Sequence, residues 1–245
     1  MLEEDLTALD EQTGSRSRSH AVLRHLERAG RLRQVRRGVY VLTDAAGGSR
    51  VDVLDLIAAS TPDPYLVSGG RALQFHGLTD QHFRRVHVLA PSQRRAWSWR
   101  GDEVRYVRTA DSLRQGAVRT RKTLARVATP ARAIADSLSH PRWGVTLSQV
   151  VEAVDISLVR DARFAESLAA EAARQRDHSL ARRLGLLVGR IGGDDAARPF
   201  LSLRGDGKAS TPLLAGGPAG GLIDPRWRVR VNVDFDRLLE HRVIA

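Results

Sequence analysis

Residues 15–42 read SRSRSHAVLRHLERAGRLRQVRRGVYVL, and the order of patterns within them decides how the chain is read. Val22, Leu23, Leu26 and Ala29 recur at i, i+1, i+4 and i+7, one stripe of a helix expected from about Ser15 to Ala29. Ser15 or Ser17 is the expected N-cap, and Gly30 stands where such a helix ends. At about 100° per residue, the opposite face carries Ser17, His20, Ala21, Arg24 and Arg28. Two β-prone runs follow, Leu32–Val35 and Val39–Leu42, and Arg36-Arg37-Gly38 between them makes the pair a hairpin. Upstream, Leu2, Leu6 and Leu9 recur at helical spacing over residues 3–12 until Gly14 stops the pattern.

Helix, turn, helix and basic hairpin is the order of a winged helix-turn-helix. Such a unit lays its second helix in the major groove and rests its wing on the phosphate backbone. The helix face that needs donors for base edges and phosphates offers Arg16, Ser17, Arg18, His20, Arg24 and Arg28, and the turn adds Arg36 and Arg37. An amphipathic helix with a solvated basic face is the blander account. The hairpin directly after it favours DNA binding. A full winged helix has three helices before the wing and only two fit before Arg31, so the first is expected to be missing or to lie upstream of Met1. The N-terminal unit is then expected to need packing from the rest of the chain.

The whole chain has 245 residues, 42% of them hydrophobic, no cysteine and a formal net charge of +11. That suits one medium domain or two smaller ones with a packed core. Without cysteine there is no disulfide framework, thiolate metal site or thiol nucleophile, and a cytoplasmic address is the simplest. No apolar run approaches the roughly 18 residues of a membrane span, and no secretory leader is expected. All the basic residues but Lys122 and Lys208 are arginine. GC-rich coding can produce that excess, but it does not predict two separate basic blocks. Residues 14–41 hold eight arginines against Glu27, and residues 84–132 hold thirteen basic side chains against Asp102, Glu103 and Asp111. A polyanion partner, double-stranded DNA foremost, is the expectation.

Beyond the Gly47-Gly48 linker the pattern is α+β. Residues 52–59 read as a connecting helix. Ser68 is the expected N-cap of a short helix ending at Gly77, and Val86–Ala90 and Val104–Val107 read as strands. Thr129-Pro130 opens a helix running to about Ser139. Thr146 and Gln149 form a capping box before the stripe Leu147, Val150, Val151, Val154 and Leu158. Helical patterns continue from Phe164 to Ile191. The Gly-, Ala- and Pro-rich stretch 202–221 is expected to be a flexible loop, and 227–233 a strand. The expected division is a DNA-binding domain over 1–44 and a larger α+β domain over 50–245.

Residues 15–42, Tyr65–Pro91, Arg126–Val154 and Asp224–Leu239 together resemble the AbiEi family of bacterial antitoxins. The similarity rests on Gly38-Val39-Tyr40 and on the Ser68–Leu78 stretch SGGRALQFHGL. It rests also on the Arg126–Asp136 stretch RVATPARAIAD and on Asp224-Pro225-Arg226-Trp227 before a strand. The resemblance implies a winged-helix repressor domain joined to an antitoxin domain. It implies an AbiEii-type nucleotidyltransferase toxin as partner, repression of the chain's own operon at its own operator, and a place in phage defence. A plain transcription regulator whose second domain senses a ligand is the alternative.

The middle block offers a candidate second basic surface of Arg84, Arg85, Arg94, Arg95, Arg119, Arg121 and Lys122, with Trp97 and Trp99 among them. It reads as a further contact to the DNA backbone, as a surface for an acidic face of the toxin or its nucleic-acid substrate, or as arginines bridged internally.

An enzyme is not expected. Ser68-Gly69-Gly70 is also similar to the glycine-rich opening of nucleotidyltransferases, but those enzymes need paired carboxylates on the next strand to hold magnesium. Here that strand is Arg85-Val86-His87-Val88-Leu89. Asp234-Phe235-Asp236 has two-carboxylate spacing, yet Asp236 reads as an N-cap, and Asp194-Asp195 as a solvated loop. The eight histidines show no metal-ligand spacing. No catalytic residue, metal or cofactor is expected.

Overall fold

The computed structural model describes residues 16–44, 48–49, 51–110, 113, 116–120 and 123–239. The helix expected over 3–12 and the Ser15 cap lie outside the described residues.

The basic helix forms as α1 (Arg16–Arg28), which places Ser17 inside the helix. It ends in a Schellman motif: Gly30 holds φ +67°, its N–H donates to Glu27 O, and the Arg31 N–H donates to Leu26 O. The stripe is narrower than its sequence pattern. Leu23 is buried and Leu26 half-buried, whereas Val22 and Ala29 are exposed. The hairpin follows as β1 (Leu32–Arg36) and β2 (Val39–Leu42), antiparallel, with Gly38 at φ +78° in the turn. Val39 and Val41 turn into the same apolar cluster as the large sheet that follows. One core therefore runs from the hairpin into the rest of the chain.

Asp52 caps α2 (Val53–Ser60) by accepting from Leu54 N, which locates the expected connecting helix. A six-stranded mixed sheet comes next. It contains β3 (Leu66–Ser68), β4 (Arg85–Ala90), β5 (Trp97–Trp99), β6 (Asp102–Arg108), β7 (Ala117–Thr120) and β8 (Thr123–Ala128), in spatial order β5-β6-β4-β3-β8-β7. β4 runs parallel to β6 and β3 to β8, and the other neighbours are antiparallel. The short helix α3 (Gly70–Phe75) joins β3 to β4.

Side-chain alternation sorts the two faces. Tyr106 and Thr123 point to the side of α2 and the hairpin, where they bond Thr61 and Asp55. Ser68 and its register partner His87 point to the other side. A helical layer covers Ser68 there: α4 (Pro130–Ser139), α5 (Leu147–Arg160), α6 (Phe164–Gln175) and α7 (His178–Gly192). Thr129 caps α4 with Pro130 at its first position, and the Thr146–Gln149 capping box is formed in full. The chain is α+β.

Four readings are corrected. Ser68 is not the N-cap of α3: that position is Gly69 at φ +68°, and the Ser68 hydroxyl donates to Asp136 instead. The helical patterns expected from Phe164 to Ile191 form as α6 and α7, parted where Arg176 adopts φ +53° and Asp177 caps α7 by accepting from Ser179 N and Leu180 N. Asp194-Asp195 opens a one-turn helix α8 (Asp194–Ala197), where the two acids pair Arg226 and Arg198. The 202–221 stretch carries ordered structure. Arg182 donates to the carbonyls of Arg204, Ala209 and Gly207, and β9 (Thr211–Pro212) pairs parallel with β11 (Val229–Val231). β11 is also paired to β10 (Leu222–Asp224), and α9 (Phe235–Leu238) closes the described chain. Asp234, not Asp236, caps α9 by accepting from Arg237 N.

Candidate nucleic-acid interface

Arg18, His20, Arg24 and Arg28 are all exposed on α1. Ser19 and Leu23 on the buried side fix the helix against the hairpin and so aim this row outward. Arg24 Nε donates to His20 O and Arg28 Nε to Arg24 O, both at 3.4 Å, so the two stems lie back along the helix. The side chains of Arg16 and Ser17 lie outside the described residues.

Between α1 and the hairpin is an open cleft of about 570 Å³, lined by His20, Arg24, Glu27, Gln34 and Tyr40. Gln34 N donates to Glu27 Oε1 at 3.3 Å, and Gln34 Nε2 donates to the Tyr40 hydroxyl at 3.3 Å. Arg24 and the His20 ring thus face an amide and a phenol across a gap. These are groups that read base edges and sugar–phosphate oxygens. Glu27, Gln34 and Tyr40 are not among the interface residues expected from sequence. The signal for Glu27 was present, since it stands seven residues after His20 on the same stripe, whereas Gln34 and Tyr40 join the cleft only once the hairpin folds.

The two wing arginines part company. Arg37 is exposed at the turn. Arg36 is half-buried, and its Nη1 donates to the Tyr106 hydroxyl of the large sheet at 3.4 Å. Its neighbour Arg33 lies over the Trp99 ring, 5.3 Å from the centroid.

The second basic block does not come together as one face. Arg94 and Arg95 precede β5 at one edge of the sheet, and Arg119 belongs to β7 at the opposite edge. Arg121, Lys122 and the side chain of Arg119 lie outside the described residues. Arg84 and Arg95 are exposed, while Arg94 is half-buried. Arg85 and Arg105 both bond Glu103, at 3.3 and 2.8 Å. Deeper in, Arg132 pairs with Asp136 at 3.4 Å, both buried. Part of this block's charge is thus paired within the chain, at the surface for Arg85 and Arg105 and in the interior for Arg132.

Two stretches behind the family resemblance meet in space. Ser68 Oγ donates to Asp136 Oδ2 at 2.7 Å, and His76 Nε2 bonds Ala128 O at 2.7 Å. Residues 68–78 and 126–136 are thus tied at two points. Gln175 Nε2 adds a bond to Asp136 Oδ1 at 3.1 Å. Burial pushes the Asp136 carboxyl upward against the opposing pull of Arg132 and Ser68. Next to this network the His87, Trp143 and His140 rings stack, with centroids 4.7 and 4.3 Å apart and planes nearly parallel. Burial first, then the charges of Arg85, Arg105 and His140, lower His87 to about 4. Among the described residues no group of three or more His, Asp or Glu is placed to hold a metal ion.

A helix laid against a basic two-stranded hairpin and fused to a larger α+β body is the class of architecture present. The fold is similar to the crystal structure of the RV2827C protein from Mycobacterium tuberculosis. The TM-score is 0.68 at 18% sequence identity, over 100% of this chain and 89% of that one. At that identity the likeness concerns the fold alone. No family model matches the chain, and no curated protein does.

Proposed function

We propose that the chain is a non-enzymatic, DNA-binding antitoxin that represses its own operon. The observation that carries the DNA half is the exposed row His20, Arg24 and Arg28 beside the cleft to Gln34 and Tyr40, with Arg37 exposed at the hairpin turn. A recognition helix and a phosphate-gripping wing need that pairing. The antitoxin half rests on the resemblance of four segments to the AbiEi family. It gains some weight from the bonds between residues 68–78 and 126–136, which give those motif residues a common framework role. The partners are then double-stranded operator DNA and an AbiEii-type nucleotidyltransferase toxin. A cytoplasmic site of action goes with them. Among the described residues, no helix is long and apolar enough to cross a membrane.

Co-expression tests the reading. The chain should rescue growth from the toxicity of a nucleotidyltransferase encoded next to its gene, and should retard DNA from its own promoter. Promoter binding without rescue would leave the plain regulator as the better description. Failure of both rescue and retardation would overturn both halves.

A further inference from the structure

The stretch Asp224-Pro225-Arg226-Trp227 and the loop after residue 203, which the helix-and-hairpin interface does not use, together enclose a recess of about 170 Å³. Its walls carry Arg182, Arg204, Arg226 and Arg228, with Asp206 and Trp227 beside them. Trp227 is buried against α7, and Asp224 Oδ1 accepts from Arg226 N and Trp227 N, so the turn is fixed on both sides.

The four guanidiniums have different duties. Arg182 is buried and donates Nε to Arg204 O at 2.6 Å, Nη1 to Ala209 O at 2.8 Å and Nη2 to Gly207 O at 2.9 Å. It holds the loop and has little left for a ligand. The other three each commit Nη1. Arg204 Nη1 donates to Arg226 O at 2.5 Å, Arg226 Nη1 is 2.5 Å from Asp194 Oδ1, and Arg228 Nη1 reaches the carbonyls of Asp206 and Gly207. Among the described residues, Nε and Nη2 of these three meet no protein acceptor. Each guanidinium therefore keeps about three N–H donors unspent. Arg226 is steadied further by lying over the Trp227 ring, 5.5 Å from its centroid. Arg228 holds φ +52°, in the left-handed region that few residues with a side chain occupy.

We propose that this recess binds a phosphate group carried by a small phosphorylated molecule. Arginine forks match phosphate oxygens two at a time, and the surplus of positive charge in the wall is the complement of a dianion. The volume accommodates one tetrahedral phosphate and a few further atoms, too little for a nucleic-acid strand to pass through. Asp206 is the single carboxylate of the wall, and through its carbonyl it already serves Arg228. Such a site would give the larger half of the chain a ligand to sense. It stands independently of the helix-and-hairpin reading, which uses other residues.

Calorimetric titration of the full chain with inorganic phosphate, with phenyl phosphate, and with chloride at matched ionic strength tests the proposal. Saturable one-to-one binding is expected for both phosphates, tighter for the ester, and none for chloride. Arg204→Ala and Arg228→Ala should each weaken it at least tenfold. Asp206→Asn removes the like charge, keeps the carbonyl, and should strengthen binding severalfold. Arg24→Ala should leave it unchanged. Absence of saturation, equal heats with chloride, or insensitivity to all three recess variants overturns the site. If the arginine variants lose their fold, Asp206→Asn decides, and unchanged or weaker binding refutes the proposal. A recess variant that weakens promoter retardation while phenyl phosphate fails to bind would mean a nucleic-acid contact instead, and would also overturn it.

Discussion

Arg36, in the hairpin, donates its Nη1 to the hydroxyl of Tyr106, in the middle of the large sheet's β6, at 3.4 Å. The same hydroxyl lies 2.8 Å from Thr61 Oγ1 and accepts from Trp97 Nε1 at 3.2 Å. One phenol therefore joins the hairpin, the end of α2 and the sheet edge. Tyr106→Phe keeps the ring and deletes these bonds, leaving Thr61 buried with one partner fewer. A stability loss of roughly 1–3 kcal/mol is expected from groups orphaned in this way. Urea unfolding of the full chain measures it; a loss below a few tenths of a kcal/mol would show that the hydroxyl is not a structural joint.

The same joint bears on the N-terminal unit as a piece. Val39 and Val41 are buried in the core shared with the sheet, so cutting the chain after residue 44 exposes both. A peptide of residues 1–44 should give poorly dispersed amide resonances and no cooperative melt. A well-dispersed spectrum would show that the helix and hairpin fold alone.

On DNA, the wing arginines should separate. Arg37 is exposed and is expected to neutralise a phosphate, so Arg37→Ala should reduce the slope of log affinity against log salt by about 0.9 for any sequence. Arg36 is engaged by Tyr106, and Arg36→Ala should change that slope by clearly less. Arg24→Ala with Arg28→Ala should abolish specific retardation of the promoter fragment while leaving the melting temperature intact, since both are exposed. Equal slopes for the two wing variants would contradict the geometry, and unchanged specific binding by the double variant would remove α1 as the recognition element.

Local signals carried much of this fold. The Gly30 stop of α1, the Thr129-Pro130 start and the Thr146–Gln149 box each involve residues within five positions of one another, and all appear in the structure. The misreadings share a cause of the opposite kind. Ser68 is an ordinary cap by type, but a carboxylate 68 residues away takes its proton donor. The 202–221 stretch is loop-like by composition, yet Arg182 on a distant helix supplies the donors that order its first half. Arg36 and Arg37 are alike in sequence, and only the position of Tyr106 distinguishes them. The candidate interface was legible on the helix side and incomplete on the hairpin side for the same reason.

His87 makes stability depend on pH in a definite direction. Its folded value of about 4 lies below the ordinary value of 6.5, so the unfolded chain binds the proton more tightly. The neutral ring's contribution is present above about pH 6.5 and is lost as pH falls toward 4. Between pH 7 and 5 this amounts to about 2 kcal/mol of lost stability. His87→Gln removes the titration and should flatten the profile in that window, though it costs some stacking on Trp143 at every pH. Parallel curves for the two proteins would refute the assignment.

Two glycines of α7 provide a prediction whose sign reverses within one turn of helix. A β-carbon on Gly185 would sit 2.3 Å from the Trp227 ring, and Trp227 is buried with no room to retreat. A β-carbon on Gly189 would meet Ala197 Cβ at an ordinary 3.4 Å. Replacing glycine by alanine inside a helix favours folding by about 1 kcal/mol in both places. At Gly189 that gain stands nearly alone, so Gly189→Ala should raise the melting temperature by a few degrees. At Gly185 the displaced indole outweighs it. Overpacking of a well-filled core costs roughly 1–3 kcal/mol, and Trp227 also anchors the turn that presents Arg226 and Arg228. Gly185→Ala should therefore lower the melting temperature and weaken phosphate binding together, while Gly189→Ala leaves that binding unchanged. A Gly185→Ala protein as stable as the parent would mean that the indole does not occupy the groove of α7 in which it is seen.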